Sequence, residues 1–228
     1  MIQTQKEIAR KLGISRMTVY RALHNKPDIS EVTRKKVLEL VKEHGYRPND
    51  VARSLVLKKT NTIGLILPCV THSFFPEITR AIEEAANENG YHVILCHTNR
   101  DWKKEAQEID VLRAKKVDGM ILTPVAGRKG VCAYQRLKEL DLPFVLIDLY
   151  IDGFECNFVG TDDVAGAYQA TKHLIDLGHT LIGHLAGPLA ASTARDRLKG
   201  YQHALKANGI LLNAEYIKLA GFEYEDGE

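Results

Sequence analysis

The stretch ISRMTVYRALHNKP, residues 14–27, decides the fold of the N-terminal region. Ser15 is a typical N-cap and Pro27 cannot continue a helix, so the residues between them predict one short helix. Helical spacing puts Val19 and Leu23 on one side of it. The opposite side carries an unusual set for a merely solvated surface, namely Arg16, Met17, Tyr20 and Arg21.

The flanking residues predict two further helices. Thr4 and Glu7 have the spacing of a capping box that opens a first helix, and Gly13 ends it. Ser30 caps a third helix, which closes at Gly45. The N-terminal region is therefore a small three-helix domain.

Apolar positions of the first two helices fall where two steeply crossing helices touch. They are Ile8, Ala9, Leu12, Ile14, Val19 and Ala22. Ala9 is small where the helices approach closely, and Gly13 occupies the turn, in which a positive φ is cheap only for glycine. This pattern predicts a helix-turn-helix, with an unrelated three-helix bundle as the alternative.

In a helix-turn-helix the second helix enters the major groove of DNA. Arg16 suits a bidentate contact with guanine, Met17 a contact with a thymine methyl or base edge, and Arg21 a base or a phosphate. Hydroxyl groups suited to phosphate oxygens belong to Ser15, Thr18 and Tyr20. The alternatives are solvated charges at the two arginines and a tolerated exposed side chain at Met17.

The charge distribution supports two partners of different kinds. Residues 1–60 hold fourteen Lys and Arg against six Asp and Glu, whereas the remainder holds seventeen against twenty-three. A basic small module joined to an acidic larger one indicates nucleic acid for the first. Hydrophobic and charged contents of 45% and 26% are typical of a globular protein, and the sequence contains no long apolar run or signal peptide, so we expect a cytoplasmic protein.

The period of the apolar residues changes after Thr62. Short apolar runs alternate with helical stretches such as residues 75–90 and 104–116. The runs are TIGLILP, YHVILCHT, DGMILTP, PFVLIDL and LIGHLAG. Strand followed by helix, repeated, predicts a doubly wound parallel sheet, with a ligand at the carboxyl ends of the strands.

Enzymatic and metal-binding motifs are not visible. No dinucleotide or phosphate loop and no nucleophile elbow occurs, so no catalytic residue and no cofactor is expected. His179 and His184 lack further ligands for a metal ion. The four cysteines are far apart and are interpreted as free thiols.

Taken together, these motifs resemble the lactose-repressor/galactose-repressor family of bacterial transcription regulators along essentially the whole chain. The segments that carry the resemblance are EIARKLGIS, MTVYRAL, ISEVTRKKVLELVKEHGYRPNDVARSL, TNTIGLILP, FFPEITRAIEEAANENGY, VDGMILTP, LPFVLID and LIDLGHTLIGHLAGPLAASTARDRLKGY.

The resemblance implies an α/β fold with four parts. They are a helix-turn-helix domain over 1–48, a hinge helix and linker over 49–60, and two incomplete subdomains of a periplasmic-binding-protein-like core over 61–155 and 156–228. The hinge would order only on DNA, where Leu55 opens the central base step from the minor groove. A core residue is the alternative for Leu55. The residues expected to contact DNA are Thr4, Ser15, Arg16, Met17, Thr18, Tyr20, Arg21, Asn25, Tyr46, Asn49, Ala52, Arg53 and Leu55.

The resemblance also implies an effector site at the strand ends. Its expected residues are Phe74, Phe75, Thr123, Asp148, Thr193 and Arg197. A carboxylate at Asp148 accepts hydrogen bonds, the guanidinium of Arg197 donates them, and a phenyl ring covers the apolar face of a sugar. The alternatives are a loop cap at Asp148 and core positions for Phe74 or Phe75, with Arg195 as a solvated helix charge.

The implied function is a regulator, expected to be a repressor, that binds a palindromic double-stranded operator as a homodimer and responds to a sugar, related polyol or nucleobase. Two departures stand out: Tyr20 replaces a common serine, and the chain ends where the family's core continues. Two alternatives follow, a truncated regulator with a non-functional effector core and a soluble sugar-binding module.

Overall fold

A computed structural model describes residues 4–23, 25–46, 59–70, 74–125 and 130–222. The chain divides into two compact units, Met1–Thr60 and Asn61–Glu228. The first is helical, and the second combines strands with helices.

The first unit contains the three predicted helices: α1 (Gln5–Leu12), α2 (Arg16–Leu23) and α3 (Glu31–Glu43). The capping box at the start of α1 is present, because the Thr4 hydroxyl accepts from the Glu7 N–H and the Glu7 carboxylate accepts from the Thr4 N–H. Ser15 and Ser30 accept from the backbone N–H groups three residues on, at 3.0 and 3.3 Å. Gly13 has a left-handed φ of 64°.

One small core joins these three helices. Its buried residues are Ile8, Ala9, Val19, Ala22, Val37 and Leu40. Leu12 and Ile14, the remaining two predicted contact positions, pack against it while partly buried. The helix-turn-helix prediction is confirmed at the level of the fold.

The second unit is built on a five-stranded parallel sheet in the order β2-β1-β3-β4-β5. The strands are β1 (Thr62–Leu67), β2 (His92–His97), β3 (Gly119–Leu122), β4 (Phe144–Ile147) and β5 (Asn157–Val159). The order reverses between β1 and β3, which is where a doubly wound sheet opens a crevice for ligand.

Helices cover both faces of this sheet. They are α4 (Phe74–Glu88), α5 (Trp102–Ala114) and α6 (Val131–Glu139). Ile66 lies in the core that includes residues of α5 and α6, whereas its neighbours Leu65 and Leu67 lie in the core that includes Phe75 and Ile78 of α4. This alternation along β1 follows from the two-residue period of a strand.

The rest of the second unit is a helix pair with a short two-stranded parallel sheet. These elements are α7 (Asp163–Asp176), β6 (His184–Ala186), α8 (Ser192–Ala207) and β7 (Ile217–Leu219). Tyr201 of α8 is buried, and its hydroxyl donates to the Ile182 carbonyl at 2.7 Å.

Two strands were not predicted from the sequence, and the predicted runs form strands that are shorter than the runs themselves. β5 has an exposed pattern and β7 is a three-residue strand, so neither offers the apolar run that marks a buried strand. β5 pairs with β4, whereas the predicted boundary at residues 155 and 156 assigns it to the second subdomain. The run LIGHLAG forms a strand only at its last residues.

Gly200 sets the distance between α7 and α8. A Cβ atom there would overlap the Val164 carbonyl oxygen and lie 2.9 Å from both the Ala167 Cβ and the Tyr168 nitrogen. Because these neighbours belong largely to the backbone of α7, they cannot turn aside.

We expect Gly200→Ala to lower the free energy of unfolding by about 2–3 kcal/mol, because the helices must separate to admit the methyl group. Gly166→Ala is the matched control, since Gly166 lies in α7 with nothing within 4 Å of the Cβ position. That variant should gain about 0.5–1 kcal/mol from helix propensity. Urea denaturation measures both, and equal stabilities would contradict the assigned contact.

Candidate functional site

The exposed face of α2 carries the predicted reading residues. Val19 and Ala22 are buried, whereas Arg16 and Arg21 are exposed and the Met17 side chain is 57% exposed. A compact three-helix unit therefore presents two guanidinium groups and a thioether at its surface.

The first unit, Met1–Thr60, is called the headpiece from here on. The other predicted DNA contacts lie at several places in it. Ser15 and Thr18 share a hydrogen bond of 2.9 Å between their hydroxyls at the start of α2, and Tyr20 is partly buried. Asn25 is exposed with a left-handed φ of 52°, and Tyr46 packs against the headpiece core. Thr4 is exposed at the N-terminus of α1. Asn49, Ala52, Arg53 and Leu55 lie outside the described residues.

The second unit contains a cavity of about 480 Å³. Its wall comprises Pro68, Phe74, Phe75, Arg100, Pro124, Val125, Asp148, Leu149, Pro188, Thr193, Arg197 and Phe222. Five of the six predicted effector residues belong to it. Apolar rings and chains form most of the wall, and Asp148, Thr193, Arg197 and Arg100 supply its polar side chains, which is the composition of a small-molecule site.

Asp148 and Arg197 share an electrostatic neighbourhood at this cavity. The Arg197 Nε donates to the largely buried Asp163 Oδ1 at 2.7 Å, which fixes the direction of the guanidinium. Burial raises the pKa of Asp148, the Arg197 charge opposes that rise, and Asp163 adds to it. Asp148 also has a φ of 65°, a strained value for a residue other than glycine.

The start of α8 serves the cavity on one face and a neighbouring segment on another. Thr193 and Arg197 are four residues apart, so they share the cavity face. The neighbouring residues contact the segment 150–152 instead. Ser192 and Asp196 accept from the N–H and the hydroxyl of Tyr150, and Arg195 pairs with Asp152. The Arg195 Nη2 donates to both carboxylate oxygens of Asp152, at 2.8 and 2.7 Å, so Arg195 is paired rather than merely solvated.

Aromatic rings form two parts of the wall. Phe74 and Phe75 meet edge to face with centroids 5.2 Å apart, and Phe75 is buried whereas Phe74 is half exposed. On the wall, the Arg100 guanidinium carbon lies 5.5 Å from the centroid of Phe222.

Sequence reasoning missed Arg100 and Phe222, although a usable signal existed. Both follow strands, β2 and β7, and the position just after a parallel strand is the one that predicted Phe75 and Asp148. β7 itself was not predicted, which left Phe222 without a strand to follow.

Thr123 is fully buried and is not one of the wall residues, although Pro124 and Val125 beside it are. Its backbone N–H continues the sheet by donating to the Ile66 carbonyl at 2.9 Å. Its hydroxyl oxygen has no hydrogen-bond partner among the described residues.

Glu105 is a third residue that was not predicted from the sequence. It is 1% exposed on α5, and it accepts from the Tyr134 hydroxyl at 2.7 Å and from the Val125 N–H. Glu105 therefore ties α5 and α6 to the segment that lines the cavity. Burial raises its pKa to about 7, against the opposing effect of the two hydrogen bonds.

Metal and membrane sites are not found in the part of the chain that the structure describes. Those residues hold no group of three potential ligands for a metal ion. His184 instead stacks on Tyr201 with centroids 5.0 Å apart, and burial lowers its pKa. Within the same described residues, no helix has the length and apolarity needed to cross a membrane.

The fold is that of helix-turn-helix regulators with a periplasmic-binding-protein-like core. Residues 4–49 match the family described as bacterial regulatory proteins, lacI family, and residues 60–227 match the periplasmic binding proteins and sugar binding domain of LacI family. The chain belongs to the lacI family of bacterial regulatory proteins.

Its relatives carry regulatory names. The transcriptional regulator RegA of Clostridium saccharobutylicum is 36% identical over 100% of this chain and 68% of RegA. The ribose operon repressor of Halalkalibacterium halodurans is 33% identical over 99% of this chain and 65% of that repressor. The chain spans about two thirds of the length of these curated relatives.

A solved structure supports the same assignment. The lac repressor dimer bound to operator and the anti-inducer ONPF has a TM-score of 0.86 and 26% identity. The match covers 100% of this chain and 68% of that one.

The raised pKa of Glu105 makes stability depend on pH. Because the folded state favours the protonated acid, the contribution of Glu105 is fully present below about pH 4.5 and is lost as pH rises through about 7. Glu105→Gln mimics the protonated form. We expect it to match the wild type at pH 4.5 and to exceed it by roughly 2–3 kcal/mol at pH 8.

Chemical denaturation at the two pH values measures this difference. Glu83→Gln, at an exposed position on α4, is the control and should shift stability little at either pH. A Glu105→Gln variant that stayed below the wild type at pH 8 would show that the ionised carboxylate stabilises the fold.

Proposed function

We propose that this chain is a sequence-specific DNA-binding transcriptional repressor controlled by a small molecule. The observation that carries the proposal is the exposed α2 face of a helix-turn-helix, with Arg16, Met17 and Arg21 on one compact unit. The regulatory names of the relatives support it.

In the proposed complex α2 lies in the major groove. Arg16 and Met17 read base edges, and Arg21 contacts a base or a phosphate. The hydroxyls at the start of α2 bind phosphate oxygens, as do those of Thr4 and Tyr20. Asn25 and Tyr46 complete the described part of the surface, and the hinge residues Asn49, Ala52, Arg53 and Leu55 enter the minor groove.

The operator in this proposal is a palindrome read by a homodimer. Two-fold symmetry presents two identical headpieces to two half-sites, so that the second headpiece binds at a high effective concentration. Loss of the dimer therefore weakens binding much more than loss of one contact.

The proposed effector is a sugar or a related polyol, with a nucleobase as the second chemical class. The Asp148 carboxylate accepts from hydroxyls, the Arg197 guanidinium and the Thr193 hydroxyl donate to them, and the ring of Phe75 covers an apolar face. Phe74 completes the aromatic edge, and Thr123 supports the wall from behind. Ligand that binds one arrangement of the core more tightly shifts the protein toward it and thereby changes DNA affinity.

Arg16→Ala tests the reading helix. We expect affinity for a palindromic duplex selected from a random library to fall about tenfold or more, because one bidentate base contact is worth about 1–3 kcal/mol. Lys42→Ala removes one positive charge from α3 and should weaken selected and random duplexes by similar small factors. Fluorescence anisotropy measures both, and a library that yields no enriched duplex, or an unchanged Arg16→Ala, would contradict the proposal.

Arg197→Met tests the cavity. Isothermal calorimetry with a panel of sugars, polyols and nucleobases should identify at least one binder, and this variant should lose its heat signal because the hydroxyl donor is gone. Arg80→Met is the matched control, since Arg80 is exposed on α4 and pairs with Glu84 away from the cavity wall. If the wild type shows no heat of binding with any compound of the panel, the cavity is not an effector site. That result would favour a regulator whose core does not respond to a small molecule.

A further inference from the structure

An acidic residue contacts the reading helix directly. Asp28 lies between α2 and α3, and its Oδ2 is 3.0 Å from the Nη1 of Arg21 in the last turn of α2. About half of each side chain is exposed, so the pair lies at the surface that α2 presents. One of the two reading guanidiniums is thus engaged before any DNA arrives.

The segment that carries Asp28 is held in place. The Lys26 N–H donates to the Arg21 carbonyl at 3.0 Å, and the Lys26 carbonyl accepts from the Arg34 Nη2 at 2.7 Å. Ile29, next to Asp28, packs against the headpiece core. The chain on both sides of Asp28 is therefore anchored to the rest of the three-helix unit.

Such a carboxylate acts differently on two kinds of DNA. Binding to DNA of arbitrary sequence depends on positive charge that replaces counterions at the phosphates, so a neutralised arginine contributes less. Reading a base depends instead on a planar guanidinium held in one orientation. Asp28 contacts only the Nη1 of Arg21. The ion pair therefore orients the guanidinium and leaves its Nε and Nη2 groups to donate to a base.

We propose that Asp28 is a specificity-determining residue of this DNA-reading surface. It lowers affinity for duplexes of the wrong sequence by cancelling the charge of Arg21, and it preserves affinity for the operator by orienting the same guanidinium. The inference rests on the proposed DNA-binding function and extends it to a residue outside the expected contact set.

The size of the effect follows from the exposure of the pair. Exposed ion pairs correspond to factors of about 1.5 to 5 in an equilibrium constant. We therefore expect Asp28→Asn to raise affinity for a random-sequence duplex about two- to fivefold. Affinity for the selected palindrome should rise less or fall, so the ratio of the two affinities decreases.

The experiment uses the full chain and two duplexes of equal length, the palindrome selected by the wild type and a scrambled version of it. Fluorescence anisotropy over a series of salt concentrations gives both affinities and their salt slopes. For the scrambled duplex, Asp28→Asn should steepen the slope of log affinity against log salt by about one, because Arg21 becomes available to a phosphate.

Two variants separate this role from a general effect of charge. Glu31→Gln removes the same negative charge from the headpiece, at a residue that pairs with Arg34 at 2.8 Å on α3. It should change both affinities by the same factor and leave their ratio intact. In an Arg21→Ala background, Asp28→Asn should lose its effect on the ratio, because the group it orients is absent.

The outcomes distinguish the proposed role of Asp28 from the proposed sequence-specific DNA binding on which it rests. Equal gains on both duplexes, or an Asp28→Asn effect that persists in the Arg21→Ala background, overturn the role of Asp28 while the regulator assignment stands. A wild type that binds both duplexes equally overturns the proposed sequence-specific function, and the inference falls with it.

Discussion

The second unit depends on one geometric constraint, which is that parallel strands all end at the same edge of their sheet. Buried strands admit few polar side chains, so the polar residues that the sheet contributes lie where the strands end. The cavity wall includes one residue that follows each of the first four strands. These are Pro68 after β1, Arg100 after β2, Pro124 after β3 and Asp148 after β4. The cavity is thus assembled from residues that are far apart in the chain but meet at one edge of the sheet.

Local signals explain why much of this architecture could be predicted from the sequence. The caps at Thr4, Ser15 and Ser30 act within three residues, and the apolar runs of β1 to β4 are continuous, so both are legible in the sequence. β5 could not be predicted from the sequence, because its residues carry no strand pattern and only their pairing with β4 makes them a strand. Glu105 was equally hidden, because only the fold buries it.

The candidate sites were partly legible for the same reason. Asp148 and Phe75 follow recognisable strands, whereas Phe222 follows β7, whose three residues carry no strand signal. Thr123 follows a recognisable strand but is buried, whereas Pro124 and Val125 beside it line the cavity. The spacing of residues in the sequence does not reveal which of them lines the cavity. The DNA contacts remain predictions that the helical phase of α2 makes physically reasonable.

Both units hold an arginine in place with a carboxylate. Asp163 fixes Arg197 beside the cavity, and Asp28 meets Arg21 on the reading helix. A flexible guanidinium loses entropy when it binds, so an arginine that is already oriented loses less at the moment of recognition.

The close approach at Gly200 determines how α7 and α8 form one continuous packed layer. α7 and α8 touch backbone to backbone there, so no side chain separates the two helices at that point. The first turn of α8 contacts the cavity through Thr193 and the Tyr150 N–H through Ser192, so a single helical turn joins the cavity wall to the segment that follows β4.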